Sequence, residues 1–306
     1  MRNATFGKAL ALGVIASIFS FGRGAALTIT TAGNVAGTYS PNNTVTKTHT
    51  MRVKCGGTIG DFCVVLTQTS LTPATVPPAE GLTYEIWTPS ASPLYQLSLD
   101  GTPDASTEVL SGNFPVGSTA NTTVTLRMAT KILPSTIPAP GTYVATIRAD
   151  LYASAYPPSG AVQSTRTFTV TVTVGSFFDV SVVASGGAFL RTSTTGSMAF
   201  GTIIENDFRA LDIVVRTNVG YGLSLRSTRG SAMRNASDGS LLPYILSFNG
   251  GDITLPAGST VSVVTGAIAT YGATKSYPVI VTIPPFLDLP TDGNYSDTVT
   301  IVLSSP

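Results

Sequence analysis

Thr167-Phe168-Thr169-Val170-Thr171-Val172-Thr173-Val174 places an apolar residue at every second position for four repeats. A period of two puts all four apolar side chains on one face of a strand, and the β-branched Thr and Val suit a pleated surface better than a helix. Thr122–Arg127 and Asp297–Leu303 alternate in the same way, and Leu211–Arg216 is a more continuous apolar strand. Pro and Gly clusters at Pro73–Gly81, Pro134–Gly141, Pro157–Gly160 and Pro284–Gly293 separate the runs. Short strands punctuated by turns at this spacing predict antiparallel sandwiches, and no stretch of helical period stands out beyond the N-terminal segment.

Composition narrows the function. The 306 residues suffice for about two ordinary domains. Charged residues are 11%, with 17 Lys+Arg against 16 Asp+Glu, which lacks the basic excess of a nucleic-acid binder. A hydrophobic fraction of 43% supports a sizeable core. One histidine, His49, leaves little room for a metalloenzyme or a Ser-His-Asp hydrolase.

Residues 1–26 have the pattern of an export signal. Arg2 and Lys8 supply a positive segment before an apolar run from Ala9 to Phe21, and Gly24-Ala25-Ala26 offers small residues for cleavage. The run is shorter than the roughly 20 residues that span a bilayer. Export would make a Cys55–Cys63 disulfide plausible; a pair of thiols and a metal site are the alternatives.

The chain repeats itself at domain scale. Gly37-Thr38-Tyr39 and the strand Thr46–Cys55 resemble Phe200-Gly201-Thr202 and the strand Arg209–Thr217. Pro140-Gly141-Thr142-Tyr143 leads into a strand over Val144–Leu151, and Asp292-Gly293-Asn294-Tyr295 leads into one over Ser296–Leu303. The expected boundary lies near Gly175-Ser176, giving an N-terminal sandwich over 27–175 and a C-terminal one over 176–306. After Tyr143 and its strand the first copy adds one more strong strand, Arg166–Val174; after Tyr295 the second copy adds none. A sandwich short of an edge strand exposes apolar side chains and unpaired backbone groups, and should accept an extended peptide.

These residues resemble the spore coat protein U family, which includes subunits of archaic chaperone–usher pili. The resemblance is carried by Ser197-Met198-Ala199-Phe200-Gly201-Thr202, Arg209-Ala210-Leu211-Asp212-Ile213, Thr217–Leu225, Leu242-Pro243-Tyr244-Ile245-Leu246 and Gly293–Thr300, all in the second half. It implies an all-β protein of two immunoglobulin-like sandwich domains, the C-terminal one an incomplete pilin fold. It further implies a tip adhesin that caps a pilus, secreted through the periplasm to the cell surface, supporting attachment and biofilm formation. The partners implied are a periplasmic chaperone, an outer-membrane usher, the donor strand of an adjacent pilin, and an abiotic or host surface. No cofactor and no nucleic acid is expected.

Candidate residues follow from that reading. Val180, Val182, Val299, Ile301 and Leu303 are expected along the empty groove. Ile132, Leu133, Ile137, Tyr152 and Tyr156 lie in two loops unusually rich in apolar residues, and are expected either at a surface-binding tip or as plugs over the sandwich ends. The short alternating Leu27-Thr28-Ile29-Thr30 is expected as a first strand rather than a donor. His49 is expected to face solvent, and Asp100, Asp104 and Glu108 to form a solvated turn. The alternatives are a coat or shaft protein of the same family without receptor binding, and a secreted β-sandwich enzyme, for which no residue can be nominated.

Overall fold

The computed structural model describes residues 25–57, 60–72, 82–88, 95–134 and 137–305. The expected export signal lies outside these, except that Ala25 and Ala26 already belong to the first strand. The described chain is all-β, with one 3-10 turn at Ser106–Glu108.

The first nine strands are β1 (Ala25–Ala32), β2 (Val35–Thr38), β3 (Val45–Gly56), β4 (Gly60–Thr72), β5 (Tyr84–Trp87), β6 (Leu110–Phe114), β7 (Thr123–Ile132), β8 (Gly141–Tyr152) and β9 (Ser164–Val174). They form two sheets, ordered β1-β3-β7-β5 and β2-β9-β8-β4-β6. The inward residues of both sheets meet in one core, which includes Met51, Val53, Phe62, Leu66, Ile147 and Phe168. The strand read from alternation is β9, and its register explains its strength. It pairs antiparallel with β8 from Gly141↔Val174 to Leu151↔Ser164, and parallel with β2 from Val35↔Val170 to Thr38↔Thr173. β9 therefore has a partner along both edges.

The next strands are β10 (Phe178–Ala184), β11 (Phe208–Thr217), β12 (Tyr221–Ser227), β13 (Ala232–Asn235), β14 (Leu241–Pro243), β15 (Ile245–Phe248) and β16 (Gly251–Ile253). They are followed by β17 (Thr260–Ala267), β18 (Lys275–Thr282), β19 (Tyr295–Ser296) and β20 (Val299–Ser304). Their sheets are ordered β10-β11-β18-β15-β16, β17-β12-β20 and β14-β13-β19. A second core gathers Val215, Tyr221, Leu223, Leu225, Leu246 and Tyr277 between them.

The internal repeat is visible in backbone geometry. Gly141 and Gly293 hold φ values of +149° and +150°, a conformation that favours glycine. Two residues on, Tyr143 Oη donates to the Ala139 carbonyl at 3.0 Å and Tyr295 Oη to the Thr291 carbonyl at 2.9 Å. Both are tyrosine corners, in which a side chain at the start of a strand ties itself to the backbone four residues back, as in immunoglobulin-like sandwiches.

Two expectations change, and two of the loop residues prove to be interior. Cys55 and Cys63 are thiols, not a disulfide. Cys55 faces the first core, whereas Cys63 lies between the inward Phe62 and Val64 and so points to the opposite face of its sheet, beside Val65 and Val109. His49 does not face solvent. It shares the parity of Met51, Val53 and Cys55 along β3, and is buried with them. Ile132 and Ile137 are interior residues at 1% and 4% exposure.

Candidate functional site

The two copies differ most at the strand that follows each tyrosine corner. Aligning Tyr143 with Tyr295 sets Ile147 against Val299, Ala149 against Ile301 and Leu151 against Leu303. In β8 the three inward residues are fully buried, and the strand is paired on both sides, by β4 and β9. In β20 the matched residues are half-exposed, and the described residues pair the strand on one side, by β12 from Gly222↔Ser304 to Ser227↔Val299. Its outward residues alternate as exposed positions, Val302 among them. β20 and β10 are each the end strand of their sheets.

The whole rim of the second core shares this character. Among the described residues, 28 buried apolar side chains make up the first core with 6 half-buried ones at its margin. The second has 14 buried and 15 half-buried, and Val180, Met198, Phe200, Val299, Ile301 and Leu303 are in the latter group. Of the expected groove residues, Val180, Val299, Ile301 and Leu303 are half-buried at the margin of the second core, and Val182 is buried on β10. Completing the burial of each aliphatic side chain would contribute about 1 kcal/mol.

Polar groups fix where β20 begins. Asp297, just before it, accepts from Ser227 Oγ at 2.6 Å, Tyr244 Oη at 2.7 Å and Thr228 Oγ1 at 2.8 Å. Burial alone would raise this carboxyl, but the hydroxyl donors and the Thr298 amide outweigh it and hold Asp297 below the usual carboxylate range. Burial in turn pushes the Tyr244 phenol well up. Sequence patterning gave no sign of this cluster, because its members come from three separate segments.

The two apolar loops of the first sandwich lie at opposite ends of it. The β7–β8 loop abuts the second sandwich: Asn218 Nδ2 donates to the Pro138 carbonyl at 3.1 Å and to the Gly175 carbonyl at 2.9 Å. Ile132, Leu133 and Ile137 are on this side, with Ile132 in the core and Leu133 half-buried. Tyr152 and Tyr156 are at the other end of β8, roughly 36 Å away at strand rise. Both pack over Cys63, Val65 and Val109, and Tyr156 Oη donates to the Pro103 carbonyl at 3.0 Å. That end also carries Val116, 90% exposed at the tip of a turn closed by the Ser118 amide on the Pro115 carbonyl, and the more modestly exposed Val162.

Two further segments are accounted for. Leu27 and Ile29 are buried in the first core, and β1 pairs with β3 from Ala25↔Gly56 to Ala32↔Met51. Asp100 and Glu108 serve turn geometry: Asp100 accepts from Ser98 and the Thr102 amide, and Glu108 accepts from the Asp104 amide.

What these observations define is an all-β chain of paired sandwiches in which one core is closed and the other has an unpaired edge among the described residues. No protein-family model matches the chain, so the likeness to the spore coat protein U family rests on motif order alone. No curated protein matches it either. Among solved structures it is similar to a chain of the CsuC–CsuE chaperone–tip adhesion subunit pre-assembly complex from archaic chaperone–usher Csu pili of Acinetobacter baumannii. That match has 14% identity over 91% of this chain and 99% of that one, with a TM-score of 0.46. It is also similar to the CupB6 tip adhesin from Pseudomonas aeruginosa, at 11% identity over 91% and 92% of the two chains and a TM-score of 0.30. A third is CfaE, the adhesive subunit of CFA/I fimbria of enterotoxigenic Escherichia coli, at 11% identity over 80% and 87% and a TM-score of 0.27. These neighbours are pilus tip adhesins, and at such identities and TM-scores the likeness assigns no function to this chain.

Proposed function

We propose that this protein is the tip adhesin and capping subunit of an archaic chaperone–usher pilus, with an adhesin domain over 27–175 and a pilin domain over 176–306. The observation that carries this is the contrast between β8 and β20. At matched register one strand is buried and paired along both edges, and the other is half-exposed and paired along one. An extended segment added along the outer edge of β20 would cover Val299, Ile301 and Leu303 and satisfy its free backbone groups. β9 does this for β8 within the first domain.

In this reading a periplasmic chaperone supplies the added strand first, and the donor segment of the adjacent pilin replaces it at an outer-membrane usher. The use of Leu27 and Ile29 in the first core favours a cap over a shaft subunit, because that strand is committed to its own sandwich. The protein is exported through the periplasm and displayed on the cell surface, where attachment and biofilm formation follow from contact between the free pole of the first domain and an abiotic or host surface. Tyr152 and Tyr156 lie near that pole, and Val116 is its most exposed apolar residue among the described residues.

The test is to append a donor peptide after Pro306 through a flexible linker, using a second copy of Thr165–Val174 as the donor. The unmodified chain should aggregate or melt early. The appended chain should be monodisperse, with a thermal midpoint higher by about 10 °C for a gain of a few kcal/mol. An unmodified chain that is monodisperse and gains nothing from the peptide would rule out the open-edge reading.

A further inference from the structure

Residues 27–175 contain seven basic and seven acidic residues, so this half of the chain is neutral, but four of the basic residues share one sheet face. The register of the β1-β3-β7-β5 sheet places Arg52 opposite Thr125, Thr50 opposite Arg127, Lys54 opposite Thr123, and both Thr46 and Glu85 opposite Lys131. The inward positions of β3 and β7 are Met51, Val53, Leu126 and Met128, so Arg52, Lys54, Arg127 and Lys131 all stand on the outer face. Arg52 and Arg127 are diagonal neighbours across the strand pair, about 7–8 Å apart. Lys54 extends the row at one end, and Lys131 lies four residues along β7 at the other.

Between and around these cations the face is almost entirely threonine: Thr28, Thr46, Thr48, Thr50, Thr123 and Thr125 are all exposed. Its one described acid, Glu85, is occupied in accepting from Trp87 Nε1 at 2.8 Å. The Lys131 ammonium sits 3.9 Å from the centroid of the Trp87 ring, which holds that charge in place. None of the four cations is in an ion pair with a described residue, in contrast to Arg148 on the opposite sheet, which is 2.9 Å from Asp150. The acids Asp61, Asp100, Asp104 and Glu108 cluster around β4, β6 and the 3-10 turn, on the other sheet's side of the sandwich.

We propose that the outer face of the β1-β3-β7-β5 sheet binds an acidic polysaccharide laid along the Lys54–Arg52–Arg127–Lys131 row. The row is about 26 Å long, the span of eight residues of β7, which suits an extended polymer rather than a compact anion. The carpet of hydroxyls complements sugar hydroxyls between the charges. A nucleic acid would favour a groove with several aromatic platforms, and among the described residues Trp87 is the one aromatic residue on this face, with Lys131 already over its ring. This inference concerns the first sandwich alone and stands whether or not the second accepts a donor strand.

The experiment measures binding of the full chain, in whichever form is monodisperse with or without the appended donor, to polyuronate fragments. Neutral dextran, anionic phospholipid vesicles and a single-stranded oligonucleotide are the comparison arms. Wild-type protein should bind polyuronate in a salt-sensitive manner and not dextran. Arg52→Ser with Arg127→Ser should weaken binding about tenfold, the scale of two exposed charge contacts. Lys47→Ser with Arg166→Ser, which removes the same charge from elsewhere on the sandwich, should leave binding unchanged. Equal losses in both double variants, or no binding by the wild type, would overturn the site; binding to vesicles or oligonucleotide in place of polyuronate would overturn the ligand. Thermal midpoints of the variants check folding, and Arg127→Gln alone, expected to weaken binding partially, replaces the double variant if its midpoint falls.

Discussion

His49 is the residue whose environment departs furthest from its chemistry. Its ring lies against Phe168 at 5.5 Å between centroids; Nε2 is 3.1 Å from Thr130 Oγ1 and Nδ1 is 3.2 Å from the Gly33 carbonyl. Burial lowers its basicity below the ordinary histidine range, partly opposed by the Gly33 carbonyl. The folded state therefore holds the imidazole neutral more firmly than the unfolded chain does. Stability from this site is fully present above the unfolded pKa of about 6.5 and is lost as pH falls from there toward the folded value. In a series of thermal midpoints from pH 7.5 to pH 5, wild type should lose stability in the first sandwich. His49→Gln should show a flatter profile over the same range, and an unchanged slope in that variant would exclude His49 as the source. The signal for its burial was present in the sequence, since His49 shares odd parity with Met51, Val53 and Cys55. The flanking threonines, on the other face, obscured it.

At the scale of elements, β8 and β20 are the same strand in two circumstances. Each follows a glycine at φ near +150° and a tyrosine corner. Each carries alternating inward aliphatics. Amide hydrogen exchange should separate them. The β8 amides, bonded to β4 and β9, should be protected throughout. In β20 the amides directed away from β12 should exchange at least about tenfold faster than those bonded to it, and should slow when the donor peptide is appended. Uniform protection of β20 in the unmodified chain would mean that a partner already covers its outer edge. The strand existence of β7, β8, β9, β11 and β20 was legible from alternation and turn residues. The short strands β13 to β16 were not, because three or four residues carry too little periodicity to register.

At the scale of the molecule, the contact between Asn218 and Pro138 sets a direction. It turns the β7–β8 loop toward the second sandwich and leaves the opposite pole of the first sandwich, with Val116, facing away. The equivalent loop of the second sandwich ends in Leu287 and Leu289, at 105% and 87% exposure, at the pole remote from the first. Surface attachment should therefore respond to one pole. In assembled fibres Val116→Ser should reduce attachment several-fold, and Leu133→Ser should not. The reverse result would place the contact at the junction instead.

The all-β class and the internal repeat were determined by the sequence, because alternation, turn residues and strand-entry motifs are local. Where the apolar loops went was not. Ile132 and Ile137 are as apolar in composition as any exposed patch, and only tertiary packing decided that they are interior, Ile132 within the first core. The same holds for the thiols of Cys55 and Cys63, eight positions apart but on inward and outward faces of two different sheets. It holds again for the row of cations, whose members are scattered over eighty residues and meet only when β3 and β7 pair. Local patterns specify a strand and its two faces; which face meets a core, a neighbour or solvent depends on partners that are distant in the chain.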